Sequence, residues 1–460
     1  MTSVSTLAAI RFGYGLSGRS APPDGPAALM AEISGKDSIL QSLPIVSTAE
    51  STPLSLEYLE VRRKRRVADK AAGGKDKAAG RALQEVRTKV KRQLAQTALS
   101  SLGRAATGQG FRERLVRFWA DHFTVRAKIT YEQGAVNAFA DEALRPNLTG
   151  SFGDMLVASS THPAMLVYLD QVTSFGPESP FAKRHNKGLN ENLAREILEL
   201  HSLGVDGGYD QGDVRTFANL LTGLQYSLKD GFQFVPGMAE PGAETLFGKS
   251  YGGREAKLED ISLALHDIAL HPDTGRHLAH KLAVHFVADA PDPALVDHMT
   301  AAYSASGGDL SALYGAMLEH PAAWEPALMK AKQPFDYFAS ALRALDVDIA
   351  GLLAMKSKES ERAVLGPMRL MGQPFQEPSG PNGWPEEELA WINPQGLAGR
   401  IQWAMQGPQS LLATLPDPRS FVDTALGDAA SDLVKRAASG AESVAEGIGL
   451  VLASVEFNRR

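Results

Sequence analysis

Apolar residues recur every three to four positions along most of the chain. Phe111, Leu115, Phe118, Trp119 and His122 form one such stripe, and Leu189, Leu193, Ile197 and Leu200 form another. That interval places side chains on one face of a helix, so the chain reads as mainly α, a multi-helical body. The pattern changes in two places. Near 225–252 the runs FQFVP and ETLFG, set among glycines and prolines, predict a short β-hairpin or an extended excursion. Near 372–396 the stretch GQPFQEPSGPNGWPEEELAWINPQG predicts a long loop carrying Trp384 and Trp391. Loops of that length are usually functional or disordered, and two aromatic anchors favour order.

These changes divide the chain into five stretches. Residues 1–60 hold a short helix among Pro- and Ser-rich loops, 61–110 a basic helical arm, and 111–224 a first helical block with a polar signature helix. Residues 225–257 are the extended excursion, and 258–460 a second helical block with the Trp loop. No repeat of fixed period relates them, although the two blocks could form two lobes. In the arm, RRKRR and RTKVKR flank an Ala- and Lys-rich stretch containing Gly73 and Gly74. It reads as a solvated helical hairpin or a mobile arm. Its charge either keeps the chain soluble or meets an acidic partner, anionic lipid or RNA.

Composition narrows the classes. A chain of 460 residues exceeds what a single core usually organises, so two or three domains or one large helical body are open. The net charge of −6 argues against a general nucleic-acid binder, leaving only the arm as a local exception. With no cysteine there is no disulfide, thiolate ligand or thiol nucleophile. MTSVSTLAAIRFGYG lacks a basic region followed by an apolar one, and no apolar run reaches the roughly 18 residues of a membrane span. The expectation is a soluble, cytoplasmic protein, or a periplasmic one if a signal-bearing partner carries it out.

The densest polar signature is GLNENLAREILELHSLGVDGGYDQGDV. A helix is predicted from about Asn190 to Gly204, whose missing Cβ suits a left-handed C-terminal cap. Leu193, Ala194, Ile197, Leu198, Leu200 and His201 fall on one side; Glu191, Asn192, Arg195, Glu196 and Glu199 fall on the other. In one reading Glu191, Arg195 and Glu199 are a solvated ladder at successive fourth positions. In the other, Asn192, Glu196 and Glu199 point inward, two carboxylates serve a divalent metal or acid–base work, and Arg195 holds their charge. A histidine from another helix would complete that set, and His122 in RERLVRFWADHFTVR is the candidate. Both His122 and His201 also fit as hydrogen-bonded core histidines. Asp121 lies about 100° round the helix from His122 and faces elsewhere.

Other signatures are weaker. In HPDTGRHLAHKLAVHF, Lys281 stands between His277 and His285 and would repel a cation, so packing explains those histidines better than a metal. GKSYG at Gly248–Gly252 matches GxSxG, but the strand–serine–helix context of a nucleophile elbow is missing around Ser250. Neither HExxH nor a Walker loop occurs.

FGYG, FWADHF, HPAMLVYLD, NENLAREILELHSLGVDGGY, LTG, HPDTGRHLAHKLAVHFV, the GQPF…GW…W loop and LASVEFNRR follow one another in order. This succession resembles the bacterial family catalogued as domain of unknown function 1800. It covers nearly the whole chain, and NEN-x-ARE-x-x-EL is its most distinctive segment. The resemblance implies a helical architecture and directs attention to Asn190, Glu191, Asn192, Arg195, Glu196, Glu199 and His122. It also implies a partner role as an option, because relatives are often encoded beside an export-signal-bearing family that resembles sulfatases and phosphatases. Relatives tend to carry Arg before LTG and Trp after it, where this chain has Asn219 and Leu224, and a His-Asp pair typical of the excursion is absent from MAEPGAETLFG.

Two functions follow as expectations. The first is a metal-dependent hydrolase or oxidoreductase with a pocket between the Asn190–Gly204 and Phe111–Phe123 helices, roofed by the Trp384 loop. Glu196 and Glu199 would be ligands or acid–base groups, His122 a ligand or proton carrier, and Arg195 and Asn192 orienting groups; a divalent metal is the one cofactor this names. The second is a non-catalytic partner or assembly subunit for the neighbouring sulfatase- or phosphatase-like protein, in which the Asn190–Gly204 helix is a buried structural network or an interface and its charged groups pair with one another completely.

Overall fold

A computed structural model of the protein describes residues 2–460. Its elements are mostly helices, and two separate antiparallel hairpins are the only sheets among the described residues. The arm starts where Ser47 accepts from the Glu50 amide and the Glu50 carboxylate accepts from the Ser47 amide, a reciprocal cap that opens α1 (Thr48–Ala71). Asp76 caps the returning helix α2 (Lys77–Thr107). Between them Gly73 takes φ +63°, which a side chain would strain. The pair closes on a small cluster of Tyr58, Leu83 and Val86, and from 62 to 82 no residue is buried. The basic stretch is thus a helical hairpin whose outer end buries no residue.

The apolar stripe read at 111–122 lies on α3 (Gly110–His122). Its first turn sits against the N-terminal segment because a Cβ on Gly110 would lie 3.0 Å from the Gly13 Cα. Helix α4 (Asn192–Glu196) continues through a wider turn at Ile197–His201. The chain then leaves at Gly204, φ +90°, as the predicted cap requires. The excursion forms two hairpins, β1 (Leu224–Ser227) with β2 (Gly231–Phe234), and β3 (Gly242–Leu246) with β4 (Lys249–Gly253). Helix α5 (Pro272–Phe286) follows. Phe111, Leu115 and Trp119 of α3, Ile197 and Leu198, and Leu278, Leu282 and Phe286 of α5 belong to one core. Each such side chain contributes about 1.5–3 kcal/mol by leaving water.

A second core is built from α6 (Pro334–Ala344), α7 (Pro394–Gln406) and α8 (Val444–Ala453). Tyr14 and Ala98, Leu99, Leu102 and Ala105 of α2 complete it. The cores cut across the stretches read from the sequence: α2 runs from the arm into the second core, while Ile261 to Ala323 contribute to the first. No helix among the described residues is long and apolar enough to cross a membrane.

Candidate active site

The residues expected to form the site are dispersed. Ile197, Leu198 and His201 are buried, Glu196 and Glu199 are half-buried, and Asn192 is exposed. Arg195 donates to Glu191 at 3.2 Å and to Gln211 at 2.8 Å, and Gln211 donates back to Glu191 at 2.8 Å. One rung of the expected ladder therefore forms. Burial, with the charge of Glu199 beside it, pushes the Glu196 carboxyl up.

His122 is on the other side of this helix, in the core. Its Nε2–H donates to the His201 carbonyl at 3.1 Å, and its ring packs against Phe118 and Phe123. Burial and the nearby Lys281 charge hold it well below the ordinary histidine value, so it is neutral. Among the described residues no group of three or more His, Asp or Glu side chains is placed to hold a metal ion. The set of His122, Glu196 and Glu199 is accordingly not assembled. The reason is rotational: α4 and its wide turn direct Ile197, Leu198 and His201 into the core, and carboxylates at 196 and 199 cannot share that direction. Where a pocket between α3 and this helix was expected, the rings of His122, Phe123 and His201 pack together, with Phe123 and His201 centroids 5.0 Å apart.

The two cores meet at a buried charge network. Arg114 of α3 donates to Asp336 of α6 at 3.1 Å and lies 3.1 Å from His285 Nε2. Arg460 Nε lies 3.4 Å from Asp336, and Arg460 also donates to the His285 carbonyl at 2.7 Å. His285 Nδ1 lies 2.5 Å from Glu386 of the Trp loop. Lys330 donates to Asp289 at 2.5 Å and to the Glu386 carbonyl at 2.6 Å. Burial brings His285 down to about 4, so the ring is neutral; Nδ1–H donates to Glu386, and Nε2 accepts from Arg114. Arg114, Arg460 and Lys330 are then balanced by Asp336, Glu386 and Asp289, as a buried network requires.

Beside this network lies a cleft. A cavity of ≈ 260 Å³ is lined by Asp121, His122, Lys281, Asn382, Trp384 and Glu386, among others. A second, of ≈ 90 Å³, meets it at Asp121 and Trp384 and holds Arg117, Asn137 and Gln376. Helical spacing puts Arg117 and Asp121, four residues apart on α3, on one face. The loop is pinned over them because the Trp384 amide donates to both Asp121 oxygens, at 3.1 and 3.2 Å. That approach depends on Gly383, φ +76°, where a Cβ would lie 2.7 Å from Asp121 Oδ2.

Burial pushes the Asp121 carboxyl up to about 7, with Glu386 adding to the rise and Arg117, the Trp384 amide and Lys281 opposing it. Lys281 is held below its ordinary value by burial, and its ammonium has only the unbonded charges of Asp121 and Glu386 nearby. Arg117 lies over the Phe335 ring at 4.5 Å and near Phe375 at 5.8 Å, with no carboxylate paired to it. Such an arrangement offers a proton-exchanging group flanked by two cations.

The sequence pattern directed attention to Trp384 and to the Asp121 segment, but it paired Asp121 with neither Lys281 nor Arg117. Lys281 entered only as an obstacle to a metal between two histidines. The available signal was the Arg117–Asp121 interval on α3.

A mainly helical protein with two cores, a buried ionic junction and a polar cleft beside it is the class defined by this geometry. Residues 8–459 match the family described as protein of unknown function (DUF1800), and the chain belongs to that family. No curated protein and no solved structure matches it.

Proposed function

We propose that the protein is a hydrolase working by acid–base catalysis in the cleft beside α3, with Asp121 as the proton-exchanging group and Lys281 as the charge-stabilising one. The observation that carries this reading is that both line one cavity of ≈ 260 Å³ while Lys281 is left without an ion-pair partner. A carboxyl near pH 7 divides its population between acid and base, the condition under which proton transfer in both directions is efficient. Asp121 takes a proton from water as it attacks an acyl or phosphoryl centre and returns it to the leaving group. The Lys281 ammonium faces the negative charge that develops on the attacked oxygen, a contribution that grows in a site shielded from bulk water.

The residues first expected to act, Glu196, Glu199, Arg195 and Asn192, do not line this cavity, whereas His122 does and is neutral. A non-catalytic role in which the charged groups of the Asn190–Gly204 helix pair completely accounts for Arg195 with Glu191, but Glu196 and Glu199 have no such partner among the described residues. The test is untargeted: bacterial metabolite extract is incubated with the protein and with Asp121→Asn, and mass spectrometry follows what is consumed. At least one metabolite disappears with the unaltered protein and persists with D121N. Identical extracts after both incubations refute the proposal.

A further inference from the structure

The ≈ 90 Å³ cavity on the far side of Asp121 carries hydrogen-bond donors that nothing in the protein satisfies. Asn137 is 2% exposed, its Oδ1 accepts from Gln133 at 3.0 Å, and its Nδ2 has no partner. A buried amide N–H without an acceptor costs about 1–3 kcal/mol, so a native site that keeps one points to a ligand that accepts there. Arg117 lines the same cavity. Its guanidinium face is covered by Phe335 and Phe375, which leaves the N–H edge as its bonding surface. The other arginines of the wall are already engaged: Arg104 by Asp141 at 2.7 Å and Arg145 by Glu113 at 2.7 Å. Arg117 is therefore the arginine of this wall that no carboxylate bonds, although the Asp121 charge acts on it from one turn along α3.

From this we infer that the cavity is an oxyanion subsite: Arg117 and Asn137 hold a carboxylate or phosphate group of the substrate, and so position its reacting atom at Asp121. A planar guanidinium edge presents two parallel donors to the oxygens of either group, and the Asn137 amide, which lines the same cavity, supplies a third. Phe335 and Phe375 fix the guanidinium plane before the ligand arrives, so little side-chain freedom is lost on binding. The inference rests on the reading that Asp121 is where the substrate reacts, and it adds the substrate class: a molecule with an anionic oxygen group a few bonds from the centre attacked.

The experiment uses the full chain and three probes, sodium acetate, inorganic phosphate and sulfate, each titrated against chloride at matched ionic strength. Binding is followed by tryptophan fluorescence, to which Trp384 at the cavity wall contributes, and by calorimetry. At least one oxyanion is expected to bind saturably. Arg117→Met and Asn137→Ala should each weaken it at least 10-fold, and Arg117→Lys, which keeps the charge but loses the fork, should weaken it by a smaller factor. Whether acetate or the tetrahedral anions bind tells a carboxylate from a phosphate source. D121N should bind the anion as well as the unaltered protein or better, because it removes a neighbouring negative charge. Absence of saturable binding by all three anions overturns the inference, as does binding to R117M that equals the unaltered protein's. If R117M melts several degrees low, R117K and N137A carry the decision. Loss of the oxyanion subsite together with a D121N defect on metabolites leaves the acid–base reading standing. Oxyanion binding without any D121N defect removes the acid–base reading and leaves a binding site.

Discussion

Asp336→Ala tests whether the charge junction holds the two cores together. Asp336 is 4% exposed and stands between Arg114, at 3.1 Å, and Arg460, at 3.4 Å. Both guanidiniums are at most 1% exposed, so water cannot take the place of the lost carboxylate. Removing one partner of a buried pair leaves an uncompensated charge and costs about 3–5 kcal/mol. Two orphaned cations, with the Lys332 amine also nearby, put D336A toward the upper end, about 4–5 kcal/mol. Urea unfolding, followed in parallel by tryptophan fluorescence and far-ultraviolet circular dichroism, reads the loss and reveals whether the cores still unfold together. The double variant Arg114→Met with Asp336→Leu should recover part of the loss, because it removes one of the two stranded guanidiniums and leaves Arg460 with Glu386 at 3.8 Å. A D336A cost below about 1 kcal/mol, or a double variant as unstable as the single one, refutes this account.

Three further outcomes are expected. Gly383→Ala should lower stability by about 1–3 kcal/mol and shift tryptophan emission to the red, because a Cβ at φ +76° would meet Asp121; an unchanged melting temperature and emission would count against the loop's pinning. Acid should destabilise the protein before ordinary carboxylates titrate. His285 and His277 are each lowered to about 4 and His201 to about 3, all chiefly by burial, and His122 lies well below its usual value. Below about pH 6.5 the unfolded state therefore binds more protons, and stability falls from there toward pH 4. Asp121, raised by burial to about 7, acts in the opposite sense between about pH 4 and 7. Burial also raises Glu32, Glu132, Glu196 and Glu244, but of these carboxyls only Asp121 is displaced far, and it offsets one of the four histidines. Melting temperatures that stay level from pH 6.5 to 4.5 would contradict this. Finally, replacing residues 66–82 with a short Gly-Ser turn should change stability by less than about 0.5 kcal/mol, since no residue there is buried; a large drop in melting temperature would show that the hairpin tip supports the body.

Much of the fold was legible in local pattern. The stripe of Phe111, Leu115, Phe118 and Trp119 predicts α3, and its side chains are buried. Gly204 was read as a left-handed cap and has φ +90°. Both depend on spacing and backbone freedom within a few residues, which a sequence states directly. The candidate site was legible only in part. The Trp384 loop was expected to be ordered and to roof a pocket between the Asn190–Gly204 and Phe111–Phe123 helices; Trp384 and His122 line one cavity, and no residue of 190–204 lines it with them. The other wall was misassigned, because helical periodicity gives the angle between two residues of one helix and says nothing about what stands opposite either of them.

What the sequence by itself determined, then, was the set of helices, their caps and the apolar faces they must bury, since these follow from interactions within one or two turns. Tertiary structure alone decided which charges are neutralised. Arg114 and Arg117 are three residues apart on one helix, yet the first is paired with Asp336 and the second is left facing a cavity. The carboxylate that makes this difference comes from a residue 222 positions away, and only the packing of one core against the other brings it there.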